Sequence, residues 1–151
     1  MNFILENYNK LKDLPEGKKK FSDMVCEITP YFKSIDPVVV HLSSGYGSWS
    51  MKKTKEVQNH IGTVHAIAMC NLAEVTAGLT IEVTIPEDKR WIPMGMTVQY
   101  LKKAQTDLTA SCTIGKVDWD AIDVLDIDVS IKDTADVEVM TAVISMKVGK
   151  K

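Results

Sequence analysis

The segment from Val64 to Leu79, VHAIAMCNLAEVTAGL, constrains the fold more than any other stretch of the chain. Wound as a helix, it carries apolar residues around nearly its whole circumference, so it must be buried on most sides. Its surroundings read as β-structure. PVVVHLSSGYGSWSMKK precedes it, β-branched and aromatic, with Gly45 and Gly47 suited to a bend or bulge between two strand pieces. After it come TIEVTIP, WIPMGMTVQYLKKAQ, DLTASCTIGKV, VLDIDVSIKD and VEVMTAVISMKVGK, each with near-alternating polarity. In one of these, Val124, Asp126, Asp128 and Ser130 fall on one face and Leu125, Ile127, Val129 and Ile131 on the other. That pattern predicts antiparallel strands covered on a single face. Short connections, TD at 106–107 and DTAD at 133–136, suit hairpins. One sheet wrapped around one central helix is the simplest arrangement that satisfies this order.

Two short amphipathic helices are predicted ahead of that body. Phe3, Ile4, Tyr8 and Leu11 recur at helical spacing, and Pro15 and Gly17 then interrupt. A second stretch runs from about Phe21 to Phe32, with Met24, Val25 and Ile28 on one side and Pro30 and Pro37 at its exit. The 151 residues suit one domain, divided into an N-terminal helical extension over 1–36 and an α+β body over 37–151. A net charge of −2 argues against a broad nucleic-acid footprint. No apolar run approaches the roughly 20 residues that span a bilayer, and the N-terminus lacks the pattern of a secretory signal. Cys26, Cys70 and Cys112 form no CxxC pair, which points to a reduced, cytoplasmic setting.

Glu74 stands out inside the apolar helix. Burying an ionised carboxylate costs several kcal/mol or more unless it is paired. The positions three and four residues away are Asn71, Cys70, Ala77 and Gly78, so no local salt bridge accounts for it. Glu74 therefore reaches the surface, finds a tertiary partner, or does chemistry. Just before the helix, Asn59, His60, Gly62, Thr63 and His65 form a polar turn, with Thr63 as the expected N-cap. Free N–H groups at such a helix start favour a developing negative charge; a capped start without chemistry is the plainer alternative. From His65 to Glu74 the helix rises about 13 to 14 Å, and the two residues point about half a turn apart in direction. One small reacting group cannot touch both within one chain. A site using both requires two subunits with their helices side by side.

Asn59, Gly62, His65 and Glu74 in NHIGTVHAIAMCNLAE resemble the signature of hotdog-fold acyl-CoA thioesterases related to the phenylacetate pathway. That signature runs Asn, Gly, His-Gly-Gly and then an acidic residue nine positions after the His. VQYLKKAQTDLTASCTI resembles the later strands of the same family, and the likeness spans about Pro37 to Val148. The resemblance implies a hotdog: a curved antiparallel sheet around one long helix, assembled as a homodimer or dimer of dimers with sites across the interface. It implies hydrolysis of an acyl thioester, with Glu74 as base or nucleophile. The Ala66 N–H would hold the oxyanion, Asn59 would orient water or substrate, and His65 would fix the turn. Gly62 and Ile67 would then lie against the substrate. No cofactor is implied beyond coenzyme A as part of the substrate. Two departures stand out. Ala66-Ile67 replaces the Gly-Gly of the signature, and the acid is Glu where the phenylacetate type carries Asp. A non-catalytic acyl-CoA or acyl-chain binding module, and an acyl-thioester hydratase or dehydratase, remain as alternatives on the same fold.

Other signals carry less. Lys102 and Lys103 follow an apolar strand and suit the phosphates of coenzyme A as point charges, or else a solvated strand end. GYGSWS lacks the G-x-S-x-G elbow of a serine hydrolase. Counted from Asp118, the sixth and twelfth loop positions are Asp123 and Val129, which excludes an EF-hand. His41, His60 and His65 have no metal-motif spacing. Trp91, Met94 and Met96 line an apolar tunnel or pack in the core.

Overall fold

The computed structural model describes residues 2–151. Its elements in chain order are α1 (Phe3–Leu11), α2 (Gly17–Ile28), a 3-10 helix (Pro30–Ile35), β1 (Val38–Ser43), β2 (Tyr46–Met51), a short 3-10 turn (Lys55–Val57), α3 (Ala66–Glu82), β3 (Lys89–Tyr100), β4 (Leu108–Thr113), β5 (Val124–Lys132) and β6 (Glu138–Lys150). The six strands form one antiparallel sheet in the order β1-β2-β4-β5-β6-β3. Alternation along the strands sets the register. Ile127, Val129 and Ile131 of β5 face α3 and are buried, while Asp126 and Asp128 face solvent.

The buried helix forms as its composition requires, with Leu72, Ala73, Val75, Ala77 and Ile81 all at 0% exposure. Its fully buried threonines satisfy themselves along the helix: Thr76 Oγ1 donates to the Leu72 carbonyl at 2.8 Å and Thr80 Oγ1 to the Thr76 carbonyl at 2.7 Å. α3 starts and ends two to three residues later than the periodicity predicts. His65, not Thr63, is the N-cap, its Nδ1 accepting from the Ile67 N–H at 3.0 Å. The helix also runs on through Glu82, so TIEVTIP is its last turn and a loop rather than a strand. The β-branched residues of that segment imitate a strand, but burial against the sheet overrides propensity. Four strands therefore follow α3, and the segment before it forms a two-strand hairpin, β1 and β2. The TD dipeptide is no hairpin either. β3 pairs with β6 alone, so the chain from β3 to β4 crosses to the other side of β5 and β6. The DTAD turn does close the β5–β6 hairpin.

The N-terminal helices share the core. Tyr8 and Phe21 meet edge to face with centroids 5.3 Å apart, and Phe21 lies 6.1 Å from Trp49 of β2. Ser22 Oγ accepts from the Val39 N–H at 2.9 Å, so α2 covers the β1 edge of the sheet. Among the described residues no helix is bonded across the opposite edge, β3, in this way. That strand is twelve residues long and exposes Ile92, Met94 and Tyr100.

Candidate functional site

Glu74 lies on the face of α3 that turns away from the sheet centre. Asn71, Glu74, Gly78 and Glu82 follow one another at three- and four-residue spacing and share that face. On one side of it stand the N-terminal helices. Asn71 Nδ2 donates to Ser34 Oγ at 3.0 Å and docks the Pro30–Ile35 helix. Asn2, which caps α1, donates to the Glu82 carbonyl at 2.8 Å. On the other side runs β3, antiparallel to α3. Tyr100 hydroxyl meets Cys70 Sγ at 3.5 Å, and Trp91 Nε1 donates to Glu82 Oε2 at 2.8 Å. That contact with Cys70 favours the protonated Tyr100 and raises its pKa.

Between these walls is a cleft of about 310 Å³. Ile4, Val25, Ile28, Phe32, Leu79, Trp91 and Pro93 give it apolar sides; Glu74 and Glu82 supply its carboxylates. Glu82 is engaged by Trp91 and Asn2. Glu74 is half-buried and has no hydrogen bond or ion pair among the described residues. It is neither a fully solvated surface group nor half of a salt bridge. The chemistry open to a carboxylate placed this way is that of a base toward a bound water or of a nucleophile toward an electrophilic carbon. A larger cavity of about 630 Å³ beyond the Trp91–Glu82 pair is polar, lined by Lys89, Arg90 and Lys151 among others, and does not include Glu74.

The helix start is a separate place. Asn59 Oδ1 accepts from the N–H groups of Ile61 and Thr63, both at 3.1 Å, while its Nδ2 donates to Thr63 Oγ1 at 2.8 Å. Its amide is thus spent on shaping the turn. Gly62 sits at φ +76, a conformation costly for other residues. His65 Nδ1 is occupied by its cap bond, which requires an unprotonated nitrogen there. The Ala66 N–H has no acceptor among the described residues. Ile67 points outward at 56% exposure. The Val64 N–H donates to the Ala104 carbonyl at 2.8 Å, so the exposed Lys102 and Lys103 stand beside this turn rather than beside Glu74. A cavity of about 170 Å³ here, lined by Tyr31, Ser34, His65 and Ile67 among others, shares no residue with the Glu74 cleft.

The structure therefore gathers Asn59, Gly62, His65, Ala66, Ile67, Lys102 and Lys103 at one end of α3 and sets Glu74 apart from them within the chain. Ile28, Phe32 and Glu82 join the site without being marked by the motif residues. The spacing of Glu74, Gly78 and Glu82 on one face was the available signal for Glu82; nothing local marked the N-terminal residues. Trp91 lines the cleft, whereas Met94 and Met96 do not. No group of three or more His, Cys, Asp or Glu suited to a metal occurs among the described residues. The three cysteines are free, and no helix among the described residues is long and apolar enough to cross a membrane.

The sheet order and the central helix define a hotdog fold, shared with thioesterase-family structures. A protein of unknown function and probable thioesterase from Pseudomonas aeruginosa, PA5026, superposes with a TM-score of 0.78 at 17% identity, over 91% of this chain and 97% of that one. Thioesterase HI1161 from Haemophilus influenzae gives 0.73 at 13% identity, over 84% and 87%. A crystal structure described as genomics APC5556 is more similar, with a TM-score of 0.88 and 40% identity over 99% of both chains. The chain belongs to the family described as a domain of unknown function, DUF4442, which it matches over residues 17–148. That span includes α2 and the Pro30–Ile35 helix, so part of the N-terminal extension belongs to the family's common body. Comparison with curated proteins returned no match.

Proposed function

We propose that the protein hydrolyses an acyl-CoA or related thioester. The observation that carries this reading is the unpaired Glu74 carboxylate in an apolar cleft on the central helix of a hotdog fold. Glu74 would take a proton from water as the water oxygen adds to the thioester carbon. Collapse of the tetrahedral intermediate would break the carbon–sulfur bond, and the sulfur would leave as a thiol after receiving that proton. Products are a free acid and coenzyme A. Direct attack by Glu74, followed by hydrolysis of an anhydride, gives the same balance.

The oxyanion donor in this reading is the free Ala66 N–H of a second copy, because eight helical positions, about 12 Å of rise, separate it from Glu74 within one chain. The open β3 edge supports such a pair. A long, apolar, uncovered edge strand is a template for pairing with another chain, and Pro93 of that strand lines the cleft. A second copy aligned on β3, as a homodimer or within a dimer of dimers, would bring its own helix start to this groove. Lys102 and Lys103 beside that start would meet the phosphates of coenzyme A. Ala66 in place of glycine keeps its N–H.

The apolar character of the cleft also suits a module that binds an acyl chain without cleaving it. The two readings separate in one experiment: release of free thiol from short, medium, long and aromatic acyl-CoAs, with sedimentation run alongside. Turnover by a dimer or tetramer supports hydrolysis. No thiol release with any substrate overturns it.

A further inference from the structure

We propose that the N-terminal helices form the acyl pocket in cis, with Ile28 and Phe32 setting the length of chain accepted. The inference rests on the acyl-thioester reading above and names its substrate class as medium-length straight chains. The cleft wall opposite Glu74 is built by α1, α2 and the residues that follow α2: Ile4, Val25, Ile28, Thr29 and Phe32. These elements are held in place independently of any ligand. Asn71 holds Ser34, Asn2 holds the end of α3, and Tyr8 and Phe21 are buried in the common core. On the far side Trp91, latched to Glu82, lies across Gly78 and forms the floor.

Size and chemistry select the occupant. A cavity of about 150 Å³ accommodates benzene, so about 310 Å³ holds roughly a dozen carbons. That is the scale of a small-molecule site. A helix from a second copy, about 10 Å across, is too broad to fill this cleft, so the partner's helix start meets Glu74 at the mouth and leaves the interior to the chain. Apolar walls around a single unpaired carboxylate fit a neutral hydrocarbon chain that ends in an electrophilic carbon. Ile28 is at the C-terminal end of α2 and 59% exposed, so it stands at the rim where a lengthening chain would meet it.

The test is a binding titration by calorimetry, using saturated acyl-CoAs from butyryl to palmitoyl with Glu74→Gln protein, so that no substrate is consumed. Each buried methylene is worth about fourfold in affinity. Affinity should rise at about that rate up to decanoyl or dodecanoyl and then level off. Ile28→Trp should make it level off at a shorter chain, lowering the dodecanoyl-to-hexanoyl affinity ratio about tenfold. Ile28→Ala and Phe32→Ala should move the plateau to longer chains. Because these substitutions act in opposite directions, loss of fold in one cannot imitate the pattern. An identical length profile in all variants, or affinity indifferent to chain length, overturns the proposal. So does weakened self-association in Ile28→Trp with no change in the profile, which would assign the cleft to a second copy. Thiol release is read separately: a shifting length profile without turnover keeps the acyl pocket and removes the hydrolase reading, whereas turnover with a fixed profile does the reverse.

Discussion

Trp91 lies across Gly78, so that a β-carbon at position 78 would come within 3.2 Å of its Cη2, and its indole N–H donates to Glu82 at 2.8 Å. The edge strand β3 is thereby fastened to α3 one and two turns beyond Glu74. Trp91→Phe keeps most of the ring contact and loses one hydrogen bond, which should cost about 1 kcal/mol. Trp91→Ala removes the floor of the cleft as well and should cost about 2 to 3 kcal/mol, below the full value for a core aromatic because Trp91 is half-buried. Urea unfolding of the three proteins checks the order.

A second close approach fixes α3 against the sheet. A β-carbon on Gly47 of β2 would stand 2.0 Å from Thr80 Oγ1, which is fully buried. Gly47→Ala should destabilise by about 3 kcal/mol or more, at the upper end for overpacking. Adding Thr80→Ala removes the clashing oxygen and should recover part of that loss. A double-mutant cycle by thermal or urea unfolding measures the coupling.

The turn before α3 depends on one amide. Asn59→Ala removes the acceptor for the Ile61 and Thr63 N–H groups and should cost about 1 to 2 kcal/mol. Asn59→Asp keeps that acceptor and should retain most of the stability. Thiol release should follow the same order, because the Ala66 N–H is aimed by this turn. Equal loss of turnover in both variants, with stability intact in Asn59→Asp, would instead give the Asn59 nitrogen a direct role at the substrate.

Asp107 supplies a pH dependence with a definite sign. The Lys53 N–H, donating at 2.8 Å, and then the Lys52 ammonium hold its pKa below the usual carboxylate value. A carboxyl with a lowered folded pKa contributes stability that is present above its unfolded pKa, near 3.9, and is lost as pH falls through the folded value. Asp107 is 40% exposed, so solvent screening holds the contribution to about 1 kcal/mol or less. The stability difference between wild type and Asp107→Asn should be constant above about pH 5 and shrink below about pH 4. Chemical denaturation across that range checks it.

Much of this arrangement is legible in the chain. A helix apolar on every side and strands that alternate leave one economical solution, and the buried α3 inside a one-sided sheet follows from it. The failures have physical causes. TIEVTIP is rich in β-branched residues, yet Thr80 and Ile81 remain helical because they are buried against the sheet. TD at 106–107 is short in sequence but separates strands that are not neighbours, which alternation cannot reveal. Histidine is an uncommon N-cap, so residue type favours Thr63 although His65 holds the position. Glu74 was visible as an anomaly, and its lack of a local cation was readable from spacing. What surrounds it was not, since the wall of the cleft comes from Ile4 to Phe32 through contacts such as Asn71 to Ser34 that span 37 positions.

The proposed role of Glu74 as the reacting carboxylate is tested most directly by comparing wild type with Glu74→Gln on the best acyl-CoA substrate. The amide is nearly isosteric, and Glu74 has no hydrogen-bond or ion-pair partner among the described residues to lose, so the unfolding midpoint should hold steady or rise. The kcat should fall by about 100-fold or more, the scale of a lost general base. A Glu74→Gln protein that retains wild-type turnover would contradict the account.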